Sequence, residues 1–375
     1  MISIKYRLDS AAEIEYIDKA FSCIKNKKCY SDKLEILLAD MKKKRPSMAK
    51  KILDRAKRFI TDYPECWCLC GWLVMSYEEM AEVRDYLSDV IESDLKVINM
   101  AIGSTGCKIR EIKSYHDLQG RRMRKYKNTN INILLSKPVI YDSIYDDFKE
   151  FNTFYDNWTE EGINYWIMEK TDLKVCPYCN ISYTYSRGQT VTAQLDHFFP
   201  KSEYPILALC FYNLVPSCPA CNKIKSDDTK VMASPYKDGV FKDLRFTWDY
   251  RGDIVQDKYS EGGSLATLEE MIEIRIETSK EDEEHNLSRM KITEAYQQHR
   301  DYASEVIKKA MIYANLETQK LICDIGASVG ITPEEVERFY LGNYLAENEL
   351  KKRSLSKMTK DFYQEIVCAK NRQSS

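Results

Sequence analysis

Two Cys-x2-Cys pairs, "CPYC" at 176–179 and "CPAC" at 218–221, constrain the fold of this chain more than any other feature. Two residues between cysteines allow both sulfurs of a pair to reach one tetrahedral zinc ion. Four cysteine ligands leave no open coordination position, so we expect a structural Zn²⁺ bound by Cys176, Cys179, Cys218 and Cys221. The site would hold together the segment between the two pairs. The alternative interpretation is four unrelated buried cysteines.

The composition is that of a globular protein that is not basic overall. The 375 residues include 56 Lys+Arg and 58 Asp+Glu, a formal net charge of −2. Any binding of nucleic acid must therefore depend on a local basic patch or on a partner. The N-terminus lacks the apolar segment of a signal peptide, and the longest nearly apolar run, 66–75, is about half of a membrane span. We expect a cytoplasmic protein with no membrane segment, and 13 cysteines without a disulfide framework.

Three regions differ in their sequence pattern. Residues 1–165 repeat apolar positions at helical spacing and predict a helical region, with a basic connector at about 103–135. Residues 166–250 predict a small α+β core, in which "ISYTYS" and "TVTAQLDH" form a hairpin, "PACNKIKSD" begins a helix, and "LRFTWDYRGDIV" forms a second hairpin over its Arg-Gly-Asp turn. Residues 251–375 return to a helical pattern. The predicted fold class is α+β, mostly α-helical, with a small zinc-stapled core in the middle.

The polar residues that could perform chemistry lie inside or just after the segment between the cysteine pairs. His197, one of four histidines in the chain, follows Asp196 in "QLDHFFPKSEYP", and Asn213 and Asn222 come later. Hydrolysis of a phosphodiester needs a base for water and a hard cation near the phosphate. An imidazole supplies the base, and Asp196 and Asn222 offer the oxygen ligands that Mg²⁺ or Mn²⁺ prefers. The thiolates would hold the fold while the histidine performs the chemistry.

The stretch "LDHFFPKSEYPILALCFYNLVPSCPACNKIKSD" resembles the ββα-metal core of HNH endonucleases, in the subgroup with two Cys-x2-Cys knuckles. This resemblance implies that His197 is the general base and that Asp196 is a ligand of the catalytic cation. It implies that Asn213 pins the loop and orients the histidine. Asn222 stands where the second histidine of the motif usually binds metal, which favours an oxygen-only Mg²⁺ or Mn²⁺ site. A zinc-knuckle binding module without catalysis is the alternative from another functional class.

A looser resemblance concerns "ASPYKDGVF" and "LGNYLAENELKKRSLSKMTKDFYQEI". These stretches are similar to HNH nucleases of Septu-like and retron-associated anti-phage systems, which are encoded beside an AAA/ABC-type ATPase. The resemblance implies a defence role, an ATPase partner, and nucleic acid as substrate. DNA is favoured over RNA, although cleavage of tRNA or other RNA stays open because such a site contacts phosphate rather than base.

Basic residues in two places could contact phosphates. Lys223 and Lys225 lie at the start of the predicted helix after the second cysteine pair. The connector adds further candidates: Arg121, Arg122, Arg124 and Lys125. For both groups, phosphate contact and a solvated surface are equally good interpretations.

Overall fold

The structure is a computed structural model. It describes residues 1–106, 109–124, 126–158, 161–226, 228, 230, 232–250 and 267–373, with side chains up to residue 367. These residues are mostly helical and include two small antiparallel sheets, so the predicted mostly helical α+β class is confirmed.

The predicted N-terminal helical region contains nine α-helices within the residues described above, and a tenth begins in it and ends at Thr171. In chain order, α1 to α10 are Ser10–Cys23, Lys27–Lys44, Pro46–Ala56, Trp67–Leu73, Tyr77–Gly103, Tyr115–Arg122, Thr129–Ser136, Ile140–Phe148, Phe151–Asp156 and Ile163–Thr171. Helix α5 begins at a capping box, in which the Ser76 hydroxyl accepts from the Glu79 N–H and the Glu79 carboxylate accepts from the Ser76 N–H. Helices α3 and α4 pack closely because residue 71 is glycine: a Cβ there would lie 2.4 Å from the Ala56 Cα.

The basic connector predicted at about 103–135 is more ordered than expected, because it contains α6 and most of α7. Side-chain caps rather than apolar periodicity begin these helices. The Ser114 hydroxyl accepts from the Asp117 N–H at 3.0 Å, and the Asn128 side chain accepts from the N–H groups of Asn130 and Ile131. Short helices with strong caps and little periodicity are easily interpreted as loops.

The central region contains a strand–strand–helix unit. Strand β1 (Gln194–His197) pairs antiparallel with β2 (Leu214–Ser217), with Asp196 opposite Val215. Helix α11 (Pro219–Lys225) follows at once, as expected from "PACNKIKSD". Its N-cap is Cys218, and proline at its first position is favourable because that position needs no hydrogen-bond donor.

The first predicted hairpin is wrong in its pairing. The segment 181–186 does not pair with 190–197; it turns back on the residues before it instead. The Cys176 N–H donates to the Ser182 carbonyl at 2.9 Å, and the Thr184 N–H donates to the Lys174 carbonyl at 2.9 Å. The cysteine pair closes this turn, so local knuckle geometry overrides the alternating pattern. Only the Arg187–Thr190 bridge at the predicted turn remains.

The second predicted hairpin has a different partner strand. Strand β3 (Arg245–Tyr250) pairs antiparallel with β4 (Ile272–Glu277), in a part of the chain predicted to be helical. The Arg-Gly-Asp turn at 251–253 lies outside the described residues. Strand β4 reads "IEIRIE", in which every second residue is isoleucine, and Ile272 and Ile274 are buried. This period of two is typical of a strand with one covered face.

Helices dominate the rest of the C-terminal region, as the sequence predicts. In chain order, α12 to α18 are Leu268–Met271, Glu281–Met290, Ile292–Tyr296, Arg300–Tyr313, Leu316–Ser328, Pro333–Leu341 and Ser356–Gln373. The helical pattern of this region is interrupted at Lys291, which has a φ of +53° and separates α13 from α14.

Buried side chains from all three regions belong to one hydrophobic cluster, which extends from Met1 to Ile366. The central unit is therefore packed between the N-terminal and C-terminal helices rather than attached by a linker. None of the helices described above is long and apolar enough to cross a lipid bilayer.

Candidate functional site

The four cysteines of the two pairs form one buried cluster. The sulfurs of Cys176, Cys179, Cys218 and Cys221 all lie within 4.8 Å of one another. A tetrahedral zinc ion with sulfur ligands at about 2.3 Å needs sulfurs this close together. The Ile181 N–H donates to the Cys179 sulfur at 3.4 Å, and the Cys221 N–H donates to the Cys218 sulfur at 3.5 Å. This cluster could hold a metal such as zinc, which agrees with the expectation from spacing.

Asn180 fixes the first cysteine pair to the C-terminal region, and nothing in the sequence pattern singled it out. It is fully buried and has a φ of +53°, a conformation that asparagine tolerates better than most residues. Its Oδ1 accepts from the Lys357 N–H at 3.0 Å and from the Ser356 hydroxyl at 3.2 Å. The start of α18 therefore holds the turn that carries Cys179.

Asp196, His197 and Asn222 line one cleft of about 760 Å³ beside the cysteine cluster. The first two lie at the end of β1, and Asn222 lies in α11. The ladder between β1 and β2, with α11 following directly, brings the three residues together although 25 positions separate His197 from Asn222. Asn213, the fourth candidate, is fully buried behind this surface.

His197 is held as a neutral imidazole. Its Nε2 lies 3.1 Å from the Ala208 carbonyl oxygen. A carbonyl can only accept a hydrogen bond, so Nε2 carries the proton and Nδ1 is the atom that can accept another. Burial, and then the nearby Lys201 ammonium, lower the pKa of His197 to about 3. At neutral pH the side chain is thus in the form that a general base requires.

Tyr155 supports the histidine ring from the N-terminal region. The two rings are in edge contact with their centroids 4.4 Å apart, and the Tyr155 hydroxyl donates to the Leu195 carbonyl at 3.1 Å. No sequence pattern identifies Tyr155, because its link to β1 crosses 40 positions.

Asn213 ties together the loop of residues 198–213. Its Oδ1 accepts from the Phe199 N–H at 2.7 Å, and its Nδ2 donates to the carbonyls of Phe199 at 3.1 Å and Leu207 at 2.9 Å. Leu207 precedes Ala208, whose carbonyl accepts from His197. Asn213 therefore acts on the histidine through the loop, without a hydrogen bond between the two side chains.

N-terminal helices hold the same loop from outside. The Trp72 indole donates to the Ile206 carbonyl at 2.9 Å, and the Tyr16 hydroxyl donates to the Leu209 carbonyl at 2.8 Å. The Tyr141 hydroxyl donates to the Glu203 carbonyl at 2.6 Å. These contacts explain why a large helical region accompanies a small site: it fixes the backbone that orients His197.

Asp196 is buried, and both of its carboxylate oxygens have protein partners. The Tyr178 hydroxyl donates to Oδ2 at 2.6 Å, and the Lys225 ammonium lies 3.1 Å from Oδ1. Lys225 also donates to the His197 carbonyl at 2.9 Å. Tyr178 lies inside the first cysteine pair, so the knuckle helps to orient the carboxylate.

The phosphate contact predicted for Lys225 is not compatible with this position, because its side chain is fully buried. Its four-carbon stem turns inward from α11 and ends on Asp196. Lys223, two residues earlier, is exposed. Between them, Asn222 donates from Nδ2 to the Gln194 Oε1 at 2.8 Å and borders the cleft.

Two of the four basic candidates of the connector also have structural partners. Arg121 is buried and pairs with Asp117 at 3.0 Å, and Arg122 pairs with Asp142 at 2.6 Å. Both also donate to backbone carbonyls, so the predicted phosphate contacts do not fit them. Arg124 is exposed, and Lys125 lies outside the described residues.

Comparison of the chain with protein-family models, with curated proteins and with solved structures gives no match.

Proposed function

We propose that this protein is a metal-dependent endonuclease of the HNH type that hydrolyses phosphodiester bonds, with DNA favoured over RNA as substrate. The observation that supports it best is the convergence of His197, Asp196 and Asn222 on one cleft beside the cysteine cluster. A base and two oxygen donors that line one cleft are the groups that phosphodiester hydrolysis needs.

In this proposal His197 removes a proton from water through Nδ1. The Ala208 carbonyl keeps the ring in the required tautomer, and Asn213 holds the loop that carries this carbonyl. Zn²⁺ in the cysteine cluster is structural.

The donor set suits a hard cation. Asp196 uses two of about four lone-pair sites in its protein contacts, and the Asn222 amide oxygen borders the same cleft. Asp196 and Asn222 would hold Mg²⁺ or Mn²⁺, which would neutralise charge on the scissile phosphate.

A non-catalytic zinc-knuckle module that binds nucleic acid or protein is the second candidate. One observation favours it: the Lys225 ammonium already neutralises Asp196 in a fully buried pair. A buried carboxylate whose charge is neutralised by a lysine can have a purely structural role.

A partner and a biological setting complete the proposal. An AAA/ABC-type ATPase partner and a role in anti-phage defence depend on the resemblance of the sequence. The net charge of −2 is compatible with a nuclease that needs a partner to bind its substrate tightly.

The test is cleavage by purified protein with Mg²⁺ or Mn²⁺, alone and with an ATPase encoded beside it. We expect nicking of plasmid, complete loss in His197→Ala, and no effect of His116→Ala, which removes an exposed histidine. Total tRNA in parallel reactions tests the RNA alternative. Equal activity of His197→Ala and the wild type would exclude the catalytic assignment. The binding module would be favoured if the wild type does not cleave and His197→Ala binds nucleic acid as tightly as the wild type does.

A further inference from the structure

The cleft beside His197 has walls from separate parts of the chain. Helix α10 contributes Asn164 and Tyr165, and the segment before β1 contributes residues 189–191 and 193. Ile163 and Trp166 are buried, which anchors α10 and leaves the two residues between them on the side of the cleft. Lys201 and Tyr155 complete the wall near the imidazole.

Charge in this cleft is too low for the phosphate contacts that dominate binding to duplex DNA. Among the described residues that line it, Lys201 is the one Lys or Arg, and it is paired with Asp156 at 3.2 Å. Asp196 is balanced by Lys225. Proteins that bind duplexes neutralise on the order of 6–10 phosphates, and this surface offers about one.

Groups that contact bases are abundant in the same cleft. Tyr165 offers a half-buried ring, and four amide side chains line the walls. Asn222 and Gln194 are bonded to each other, so Asn164 and Gln189 are the two amides that we assign to the base edge. Aromatic rings stack on unpaired bases, and amides form hydrogen bonds with base edges. In a duplex the base faces are stacked on one another, so these groups suit a base that is unstacked.

We propose that this cleft binds an unpaired nucleotide, so that the substrate is single-stranded nucleic acid or a single-stranded loop. Tyr165 stacks on the base, the amides contact its edge, and Lys201 lies near a phosphate. The volume of about 760 Å³ is within the range of small-ligand pockets, about 300–1,000 Å³. This inference deepens the proposed function and depends on it for the position of the scissile bond.

Binding tests the inference separately from cleavage. Fluorescence anisotropy with full-length His197→Ala measures binding of a labelled 20-nucleotide single-stranded DNA, the same sequence as RNA, an RNA hairpin, and the matching duplex. We expect the single strands or the hairpin to bind at least about tenfold more tightly than the duplex. The plot of log K against log salt should have a slope of magnitude below about 2. The DNA and RNA arms distinguish the two sources of an unpaired base.

Variants of Tyr165 provide the matched series. In the same background, Tyr165→Ala should weaken single-strand binding by roughly 5- to 150-fold, and Tyr165→Phe should restore it, because stacking requires the ring and not the hydroxyl. Tyr185→Ala removes an exposed tyrosine outside the cleft lining and should leave binding unchanged.

Each outcome decides one of the two proposals. Equal or tighter binding of the duplex, unchanged affinity of Tyr165→Ala, or no binding of any of these probes overturns the inference. If the wild type cleaves duplex and single strand equally, the nuclease stands and the inference fails. Single-strand binding that depends on Tyr165, without cleavage, sustains the inference and removes the proposed activity.

Discussion

Replacing Lys225 with methionine should destabilise the protein far more than a typical helix substitution. Lys225 is fully buried, and the Asp196 side chain is 4% exposed, so the pair is shielded from solvent. In the variant, the Tyr178 hydroxyl is the side-chain donor that remains on the Asp196 carboxylate among the described residues. The His197 carbonyl also loses the donor that Lys225 supplies. Breaking one side of a buried ion pair costs about 3–5 kcal/mol, because the other charge stays buried without compensation.

The measurement is the free energy of unfolding from urea titrations followed by circular dichroism, at constant zinc. Lys223→Met is the matched control, since Lys223 is exposed two residues earlier in the same helix, and it should change stability by less than about 0.5 kcal/mol. Lys225→Met combined with Asp196→Asn should recover much of the loss, because the uncompensated charge is then absent. Similar stabilities of the Lys225 and Lys223 variants would refute the reasoning.

The same variant distinguishes the two roles of Asp196. If Asp196 binds a divalent cation, Mg²⁺ or Mn²⁺ should raise the unfolding midpoint of Lys225→Met more than that of the wild type, because a ligand that binds the folded state stabilises it. A purely structural carboxylate predicts no such difference.

Three further predictions concern the elements around the site. Elemental analysis should find one zinc per chain in the wild type, and Cys176→Ser should lose both zinc and folded structure. Cys210→Ser is the control, because it removes a buried cysteine outside the cluster and should retain zinc. Zinc retained in Cys176→Ser would argue against the cluster. Asn213→Ala should lower the free energy of unfolding by at least about 3 kcal/mol, because it leaves three buried backbone groups without their partner. A loss below about 1 kcal/mol in a urea titration would contradict this prediction. Trp72→Phe should lower the free energy of unfolding by about 1–3 kcal/mol, because it leaves the Ile206 carbonyl unpaired. It should also lower any cleavage rate while zinc content is unchanged. A variant with wild-type stability would show that this contact does not hold the loop.

The candidate site shows how far sequence reasoning reaches. The spacing of the cysteines predicts a metal cluster because two residues between ligands is a local geometric requirement. Asp196 and His197 are adjacent, so their placement at one strand end follows from the chain itself. The role of Lys225 does not follow, because a lysine at the start of a helix has the same sequence pattern whether its stem turns outward or inward.

The same limit applies to the predicted hairpins. Alternation in 181–197 indicates strands but does not name their partners, and the knuckle at Cys176 diverts the first strand to its own neighbours. Strand β4 was missed because its six residues lie within a region of helical pattern.

What the sequence determined by itself is local: the two knuckles, the helical regions, the strand end that carries Asp196 and His197, and the helix after the second cysteine pair. Tertiary structure alone decided which groups surround that base. Trp72 and Tyr16 reach the loop beside His197 across 134 and 193 positions, and Lys225 reaches Asp196 across 29. The physical reason is that burial and hydrogen-bond partners depend on packing between distant segments, and no short sequence pattern encodes that packing.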